Sequence, residues 1–275
     1  MMFREVPPCP ALQPFVRHYL LVHLPELAAG YQVKPYPTRV EQALVFFARG
    51  RIVSHDPHTG HSFPIARNAL YGQHVSRRNF ETFTAPDFLM LMVVFQPGAM
   101  QRLLGFASHE LTAAYCDAEA LLTAELPAVN DRIANARSYA EMVAHAEAYV
   151  LRQLRGLRRE AHPIDRIGDL LLHQPLPFSL DRLAHQANLS PRQFERKFNE
   201  RMGVGPKLYS RISRFFQAFS HKEAHPQADW LTVATEFGYT DYAHLAKDFK
   251  QFAHVTPNIL LQEHARRPET RVGFG

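Results

Sequence analysis

Apolar positions come in short runs bounded by Pro and Gly over the first hundred residues, and at steps of three and four over the last hundred. Residues 15–24 (Phe-Val-Arg-His-Tyr-Leu-Leu-Val-His-Leu) lie between Pro14 and Pro25 and are rich in β-branched and aromatic side chains, which predicts a strand. Similar runs predict strands at 43–49, 51–54, 61–66, 69–75, 79–84 and 88–96, with Gly50, Gly60 and Pro86 between them. The run 88–96 is apolar on both faces, as a central strand must be. Short strands at this spacing imply a β-sandwich or barrel.

After Pro97-Gly98 the periodicity becomes helical, over 98–104, 108–115 and 117–126. Residues 139–157 place Tyr139, Met142, Val143, Ala146, Tyr149, Val150, Leu154 and Leu157 on one face of a long helix. That stripe either packs on its own domain or pairs with a second copy of the chain, and the pattern leaves both open. Arg155 to Pro163 reads as a helix end and a short polar linker, so the expected division is 1–158, 159–265 and a loose tail at 266–275. From Ile164 onward the chain is helical, with start signals at Ser179, Gly205-Pro206, Asp229 and Thr256-Pro257.

Within 180–257 one pattern occurs twice. Leu183-Ala184 is followed by Ala187-Asn188-Leu189-Ser190, Phe194 and Phe198, and Val233-Ala234 by Phe237-Gly238-Tyr239-Thr240, Leu245 and Phe249. Each copy reads as a helix-turn-helix. A small residue, Ala184 or Ala234, lets the first helix cross closely over the second. Four residues on, Asn188 or Gly238 supplies the type that tolerates a left-handed break. Leu189 or Tyr239 then plugs the corner, and Ser190 or Thr240 caps the second helix, with Asp241 complementing its dipole. The second copy has one extra residue before its apolar anchor.

Composition changes this picture little. Apolar residues make up 46% and charged residues 21%, as in an ordinary globular protein, and no apolar run approaches the roughly 20 residues of a membrane span. Cys9 and Cys116 are too far apart for a metal knuckle and, with no export signal at the N-terminus, are expected to be reduced thiols in a cytoplasm. The formal charge of +5 permits nucleic acid without requiring it. Its distribution is more telling: Arg192 to Arg214 holds seven Lys/Arg against Glu195 and Glu200, on the first repeat and just beyond it.

Two such units joined by one helix resemble the DNA-binding domain of the AraC/XylS family of transcription regulators, over about residues 164–264. The resemblance is carried by Ala234, Phe237-Gly238-Tyr239, Asp241, Leu245, Phe249-Lys250 and Val255-Thr256-Pro257. Tyr239 and Leu245 stand where the family usually has Phe, and His254 where it usually has Gly. The family's closing Tyr-Arg is replaced near Ile259-Leu260-Leu261. The resemblance implies two recognition helices, about 191–201 and 241–252, in successive major-groove segments of double-stranded DNA. On the first, Arg192, Gln193, Glu195 and Arg196 would face base edges; on the second, Tyr242, Ala243, His244, Ala246 and Lys247. Lys207, Arg211, Arg214 and Lys250 are candidate phosphate contacts, with plain surface as the alternative. The first repeat, richer in side chains that pair with bases, should carry most of the specificity.

The first domain resembles, more loosely, a β-rich sensor or dimerisation domain attached to some AraC-type regulators, through Leu12-x-Pro14-Phe15-Val16-x-x-Tyr19, Tyr36-Pro37-x-x-Val40-Glu41, Phe95-Gln96-Pro97-Gly98-Ala99 and Glu110-Leu111-Thr112. The expected whole is a multidomain α and β protein: a cupin-like β-sandwich or barrel with flanking helices, then an all-α domain of two helix-turn-helix units. Tyr36, Phe46 and Phe95 are candidate walls of an effector pocket, or core filling. His55, His58, His61 and His74 invite a metal, but Asp56-Pro57 and Thr59-Gly60 mark a hairpin that would splay them, so no metal or cofactor is expected. The rival reading is a cupin-like metal enzyme with an accessory DNA domain. No Ser/His/Asp or Cys/His motif supports it, and a regulator rather than an enzyme is expected. Its expected partners are DNA, a small-molecule effector, a second copy of the chain and, for an activator, RNA polymerase; no membrane is expected.

Overall fold

The computed structural model describes residues 2–25, 33–56, 59–83, 87–157, 160–174 and 179–265. Among the described residues, ten strands form two antiparallel sheets. The larger contains β1 (Met2–Val6), β2 (Val16–Leu24), β9 (Phe88–Phe95), β4 (Ala43–Arg49), β7 (Asn68–Tyr71) and β10 (Tyr115–Asp117), in that order. The smaller is β3 (Val33–Tyr36), β8 (Arg78–Phe83), β5 (Arg51–His55) and β6 (Ser62–Pro64). Among the described residues no strand pair joins the two sheets, so the sandwich form of the expectation holds.

The alternation of side chains along β4 and β9 explains why the larger sheet is apolar on both faces. Ala43, Val45, Phe47, Phe88, Met92 and Val94 pack toward the smaller sheet with Ile52, Ile65 and Tyr71. Their neighbours Leu44, Phe46, Leu89, Leu91, Val93 and Phe95 pack the other way, against helices. β9 lies between β2 and β4, as its doubly apolar pattern predicts. The helices on that second face are α1 (Ala99–Leu104), α2 (Ala118–Leu121), α3 (Leu126–Ala134) and α4 (Tyr139–Leu154). Met142, Val143, Ala146, Tyr149 and Val150 of α4 are buried there, with Tyr149 edge-on to Phe46 at 6.4 Å. The α4 stripe is therefore used within its own domain.

Local expectations differ from the structure at several points, and the strand expected at 69–75 ends at Tyr71. Residues 108–115 are not a helix: a 3-10 turn, Ser108–Leu111, gives way at Ala113 (φ 57°) to β10, which pairs with β7. Residues 117–126 break at Leu122, and α3 follows with Pro127 in its first turn, where proline starts a helix instead of stopping one. The edge strands β1 and β3 have too mixed a pattern to predict. The tail 266–275, and Arg158-Arg159 at the expected domain boundary, lie outside the described residues.

The second domain comprises α5 (Pro163–His173), α6 (Leu180–Gln186), α7 (Pro191–Met202), α8 (Pro206–Ala224), α9 (Trp230–Glu236), α10 (Tyr242–Ala253) and α11 (Pro257–Ala265). α8 runs through its core, burying Tyr209, Ile212, Phe215, Ala218 and Phe219 between the two repeats. Phe198 meets the ring of Tyr209 at 5.2 Å, and Phe249 meets Phe215 at 4.8 Å. Each such fully buried ring contributes about 1.5–3 kcal/mol, so the apolar anchors of both repeats are what fasten α7 and α10 to α8. Among the described residues no helix is long and apolar enough to cross a membrane.

Candidate nucleic-acid interface

The two turns are built alike down to their hydrogen bonds. Asn188 and Gly238 adopt left-handed conformations, φ 53° and 72°. Leu189 N–H donates to the Ala184 carbonyl at 3.0 Å and Tyr239 N–H to that of Ala234 at 2.8 Å. Asn188 N–H reaches His185 and Gly238 N–H reaches Thr235, at 3.0 and 3.1 Å. This pair of bonds closes a helix in the Schellman manner. Ala184 and Ala234 are buried at the crossing, and Tyr239 is buried in its corner while Leu189 is partly so.

The extra residue of the second repeat is absorbed in the turn, not in the helix. Ser190 caps α7, accepting from Gln193 N–H, whose side chain accepts in return from Ser190 N–H at 3.1 Å. α10 is capped not by Thr240 but by Asp241, which accepts from His244 N–H at 2.7 Å. The expectation placed the cap one residue early, because Thr240 aligns with Ser190 when counted from the turn. Counted from the caps, Phe194 and Leu245 fall at the same step, as do Phe198 and Phe249. Both helices then end on a left-handed residue thirteen beyond the cap, Gly203 (φ 84°) and His254 (φ 58°).

With Phe194 and Phe198 buried, Arg192, Gln193, Glu195 and Arg196 are exposed on α7, and Arg192, Glu195 and Arg196 make no ion pair among the described residues. Gln193 is partly committed, since its carbonyl oxygen closes the capping box and leaves the amide NH2 to the outside. On α10, Tyr242, Ala243, Lys247 and Lys250 are exposed, while Ala246 and His244 are half-buried. His244 packs against Tyr239 at 5.1 Å, with Nδ1 3.3 Å from the Thr240 hydroxyl.

The basic stretch divides. Arg201 is buried and grips Asp165 of α5 with both ends of its guanidinium, Nη2 lying 2.7 Å from Oδ2. Arg211 and Arg214 both reach Asp248 of α10, a carboxylate only 1% exposed, which also accepts from the Tyr239 hydroxyl at 3.2 Å. Burial and the Asp248 charge push the Tyr239 hydroxyl pKa well up, so it stays a donor. Arg192, Arg196 and Lys207 are left exposed, a smaller cationic surface than the sequence count implied.

Residues 183–263 match the model of a family described as a helix-turn-helix domain. The chain carries a helix-turn-helix domain of the AraC type over these residues. Residues 4–117 match a second model, described as a domain of unknown function, DUF6597. No curated protein matches the chain. Among solved structures, ToxT from Vibrio cholerae aligns with 89% of this chain and 98% of its own at 11% identity, with a TM-score of 0.50. A second ToxT structure, bound to (E)-4-(8-methylnaphthalen-1-yl)but-3-enoic acid, aligns with the same shares, identity and score. The DNA-binding domain of AdpA in complex with a target DNA aligns with 40% of this chain and 98% of its own at 22% identity, with a TM-score of 0.36. The ToxT likeness extends over both domains, so the sandwich and the AraC-type domain share one overall architecture with it.

The three candidate effector residues do not meet. Phe46 is core, facing α4; Tyr36 donates to Glu41 at 2.6 Å; Phe95 lines a small cleft where the sandwich meets the AraC-type domain. Arg17, Glu41, Gln42, Gln96, Met202 and Tyr209 share that cleft, and Gln42 Nε2 and Gln96 Oε1 have no partner among the described residues. Burial alone would raise the Glu41 pKa, but Arg39 and Arg17 outweigh it and lower the pKa from the ordinary carboxylate value. Of the candidate metal residues, His58 lies outside the described residues. His55 bonds Ser62, and His74 is buried apart from it among Tyr71, Phe80 and Tyr115.

Sequence reasoning missed Asp248, Arg201, Arg77 and Thr38, which act across the two domains or between helices. Only Asp248 carried a local signal: a carboxylate beside Phe249, on the helix face turned toward α8, needs a cationic partner there.

Proposed function

We propose that the protein is a sequence-specific DNA-binding transcription regulator that sets α7 and α10 in successive major-groove segments. The observation that carries this is the outer face of α7, where Arg192, Glu195 and Arg196 stand exposed and, among the described residues, without ion-pair partners beside a buried Phe194–Phe198 anchor. Arg pairs with guanine, Glu accepts from cytosine, and the Gln193 amide donates, which together make a direct-readout set. α10 offers Tyr242, Ala243, His244 and Lys247, with Lys250 and Lys207 near the phosphates. Arg211, already paired with Asp248 and Gln251, contributes to helix placement first and to phosphate second.

The sandwich domain is the regulatory half of the proposal. Its cleft against the AraC-type domain is lined by Phe95, Tyr209, Arg17 and the amides of Gln42 and Gln96 but has room for only about one water molecule, so an effector would have to open it; ToxT has been solved with a small organic acid. Dimerisation and, for an activator, contact with RNA polymerase are further parts of this reading. The test is selection from a randomised duplex library by the purified chain. The proposal expects an enriched motif bound at least about 10³-fold more tightly than random DNA at fixed salt. No enrichment would contradict it.

A further inference from the structure

Both recognition helices are gripped at their C-terminal ends by the other domain. At the end of α10, the Thr38 hydroxyl donates to the Phe252 carbonyl at 3.0 Å, and Arg77 Nη1 donates to that of Ala253 at 3.3 Å. Arg77 is buried, anchored by Asn79 at 2.9 Å, and pairs with Glu263 of α11 at 2.8 Å. At the end of α7, the Thr112 hydroxyl donates to the Gly203 carbonyl, and Gln101 bridges Glu200 and Arg201 at 3.0 and 2.8 Å. Gln101 is 1% exposed, and Gly98 just before it packs so closely on Asp165 that a Cβ there would lie 2.0 Å from Oδ1.

The Thr38, Arg77 and Thr112 contacts satisfy carbonyls at helix ends that a helix leaves open, Gln101 holds side chains of the last turn of α7, and Arg77 places a cation where the α10 dipole is negative. They also lie at the far end of each helix from the N-terminal residues that reach base edges in a helix-turn-helix. The grip therefore holds both helices without covering their reading ends. α10 closes at His254, in a left-handed conformation that glycine adopts more cheaply, and its last carbonyls are met from the sandwich.

We propose that the sandwich domain is a strut between the two recognition helices, and that Arg77 and Thr38 at α10, with Gln101 and Thr112 at α7, are positioning residues that fix the spacing and phase at which the helices meet DNA. The proposal rests on the DNA-reading function above. α8 joins the repeats by a single helix; the strut supplies a second, independent tie, so the distance between reading ends is braced on two sides.

The experiment uses the full chain and the duplex that the wild-type chain selects from a randomised library, together with derivatives carrying one base pair more or fewer between the two contacted segments. Each base pair shifts the second segment by about 3.4 Å and roughly 35°. The wild type is expected to bind the altered duplexes about tenfold more weakly or worse, equivalent to roughly one mismatched base pair. In Arg77→Ala the penalty should fall to about threefold, while binding to the parent duplex weakens less than the penalty does. Thr38→Val and Thr112→Val, each exchanging a hydroxyl for a methyl, carry the same test if Arg77→Ala does not fold. A variant that keeps the full spacing penalty, even with lower affinity or a lower melting temperature, overturns the proposal, because the contacts would then only support the fold. Failure of the wild type to select any sequence would instead remove the DNA-reading function, and the strut with it.

Discussion

Arg196 of α7 and Lys247 of α10 stand at the same station, six residues beyond the caps Ser190 and Asp241, and both are exposed. The repeats thus place a forked guanidinium and a point-charge ammonium at equivalent positions, and only the first can bond a base edge with two parallel donors. Arg196→Ala is expected to weaken specific binding by about 1–3 kcal/mol and to relax preference at one base position. Lys247→Ala should weaken binding evenly across sequences and reduce the salt slope by about one. Binding isotherms on single-base variants of the selected duplex, at several salt concentrations, separate the two.

Asp248 ties α10 to α8 through Arg211, Arg214 and Tyr239. Asp248→Ala would remove the carboxylate that two guanidinium groups share, leaving Arg211 with Gln251 and Arg214 with the Gly238 carbonyl, and would take the acceptor from the buried Tyr239 hydroxyl. Because Arg211 and Arg214 are 30% and 21% exposed, water recovers part of the loss, and about 2–3 kcal/mol of stability should go, below the usual range for breaking a fully buried pair. Urea unfolding of the full chain measures it.

Gly238 sits at φ 72° with nothing within 4 Å of the position a Cβ would take. The cost of Gly238→Ala is therefore backbone strain alone, about 1 kcal/mol, and Gly238→Asn should cost less, since Asn188 holds the same corner in the first repeat. Thermal unfolding of the two variants tests this order.

His74 is 7% exposed, and burial followed by the Arg78 charge lowers its pKa to about 4. An unfolded chain takes up this proton near pH 6.5, so between about 4 and 6.5 the unfolded state binds more protons than the folded one. Stability from this group is full above the unfolded value and is lost as pH falls through the window, by at most about 1.4 kcal/mol per pH unit. His18 and His162 shift in the same direction. His74→Phe should flatten the pH dependence of unfolding between pH 6.5 and 4; an unchanged slope would show that His74 is not the group responsible.

The AraC-type half was legible because its instructions are local. Asn188, Gly238 and Ser190-Pro191 each fix one turn or cap within a few residues, and Phe194, Phe198, Leu245 and Phe249 mark the buried faces. Ambiguity entered where two local signals compete, as at Thr240-Asp241, where either residue can cap. The sandwich was legible through β2, β4 and β9, whose apolar runs are dictated by burial on both faces. β10 and the 3-10 turn before it were not, since their apolar spacing also suits a helix and only pairing with β7 decides. On the interface, the exposed face of α7 could be read from periodicity. The capture of Arg201, Arg211 and Arg214 by Asp165 and Asp248 could not, because their partners lie more than thirty residues away.

The most direct test of two reading helices is a chemical footprint of the purified chain on its selected duplex. Two protected major-groove segments should appear on one face of the DNA, centred about one helical turn, roughly 10 base pairs, apart. Substituting Arg192 and Arg196 by Ala should erase one segment and leave the other. A single protected segment, or a pair that both vanish or both persist in that variant, would contradict the account.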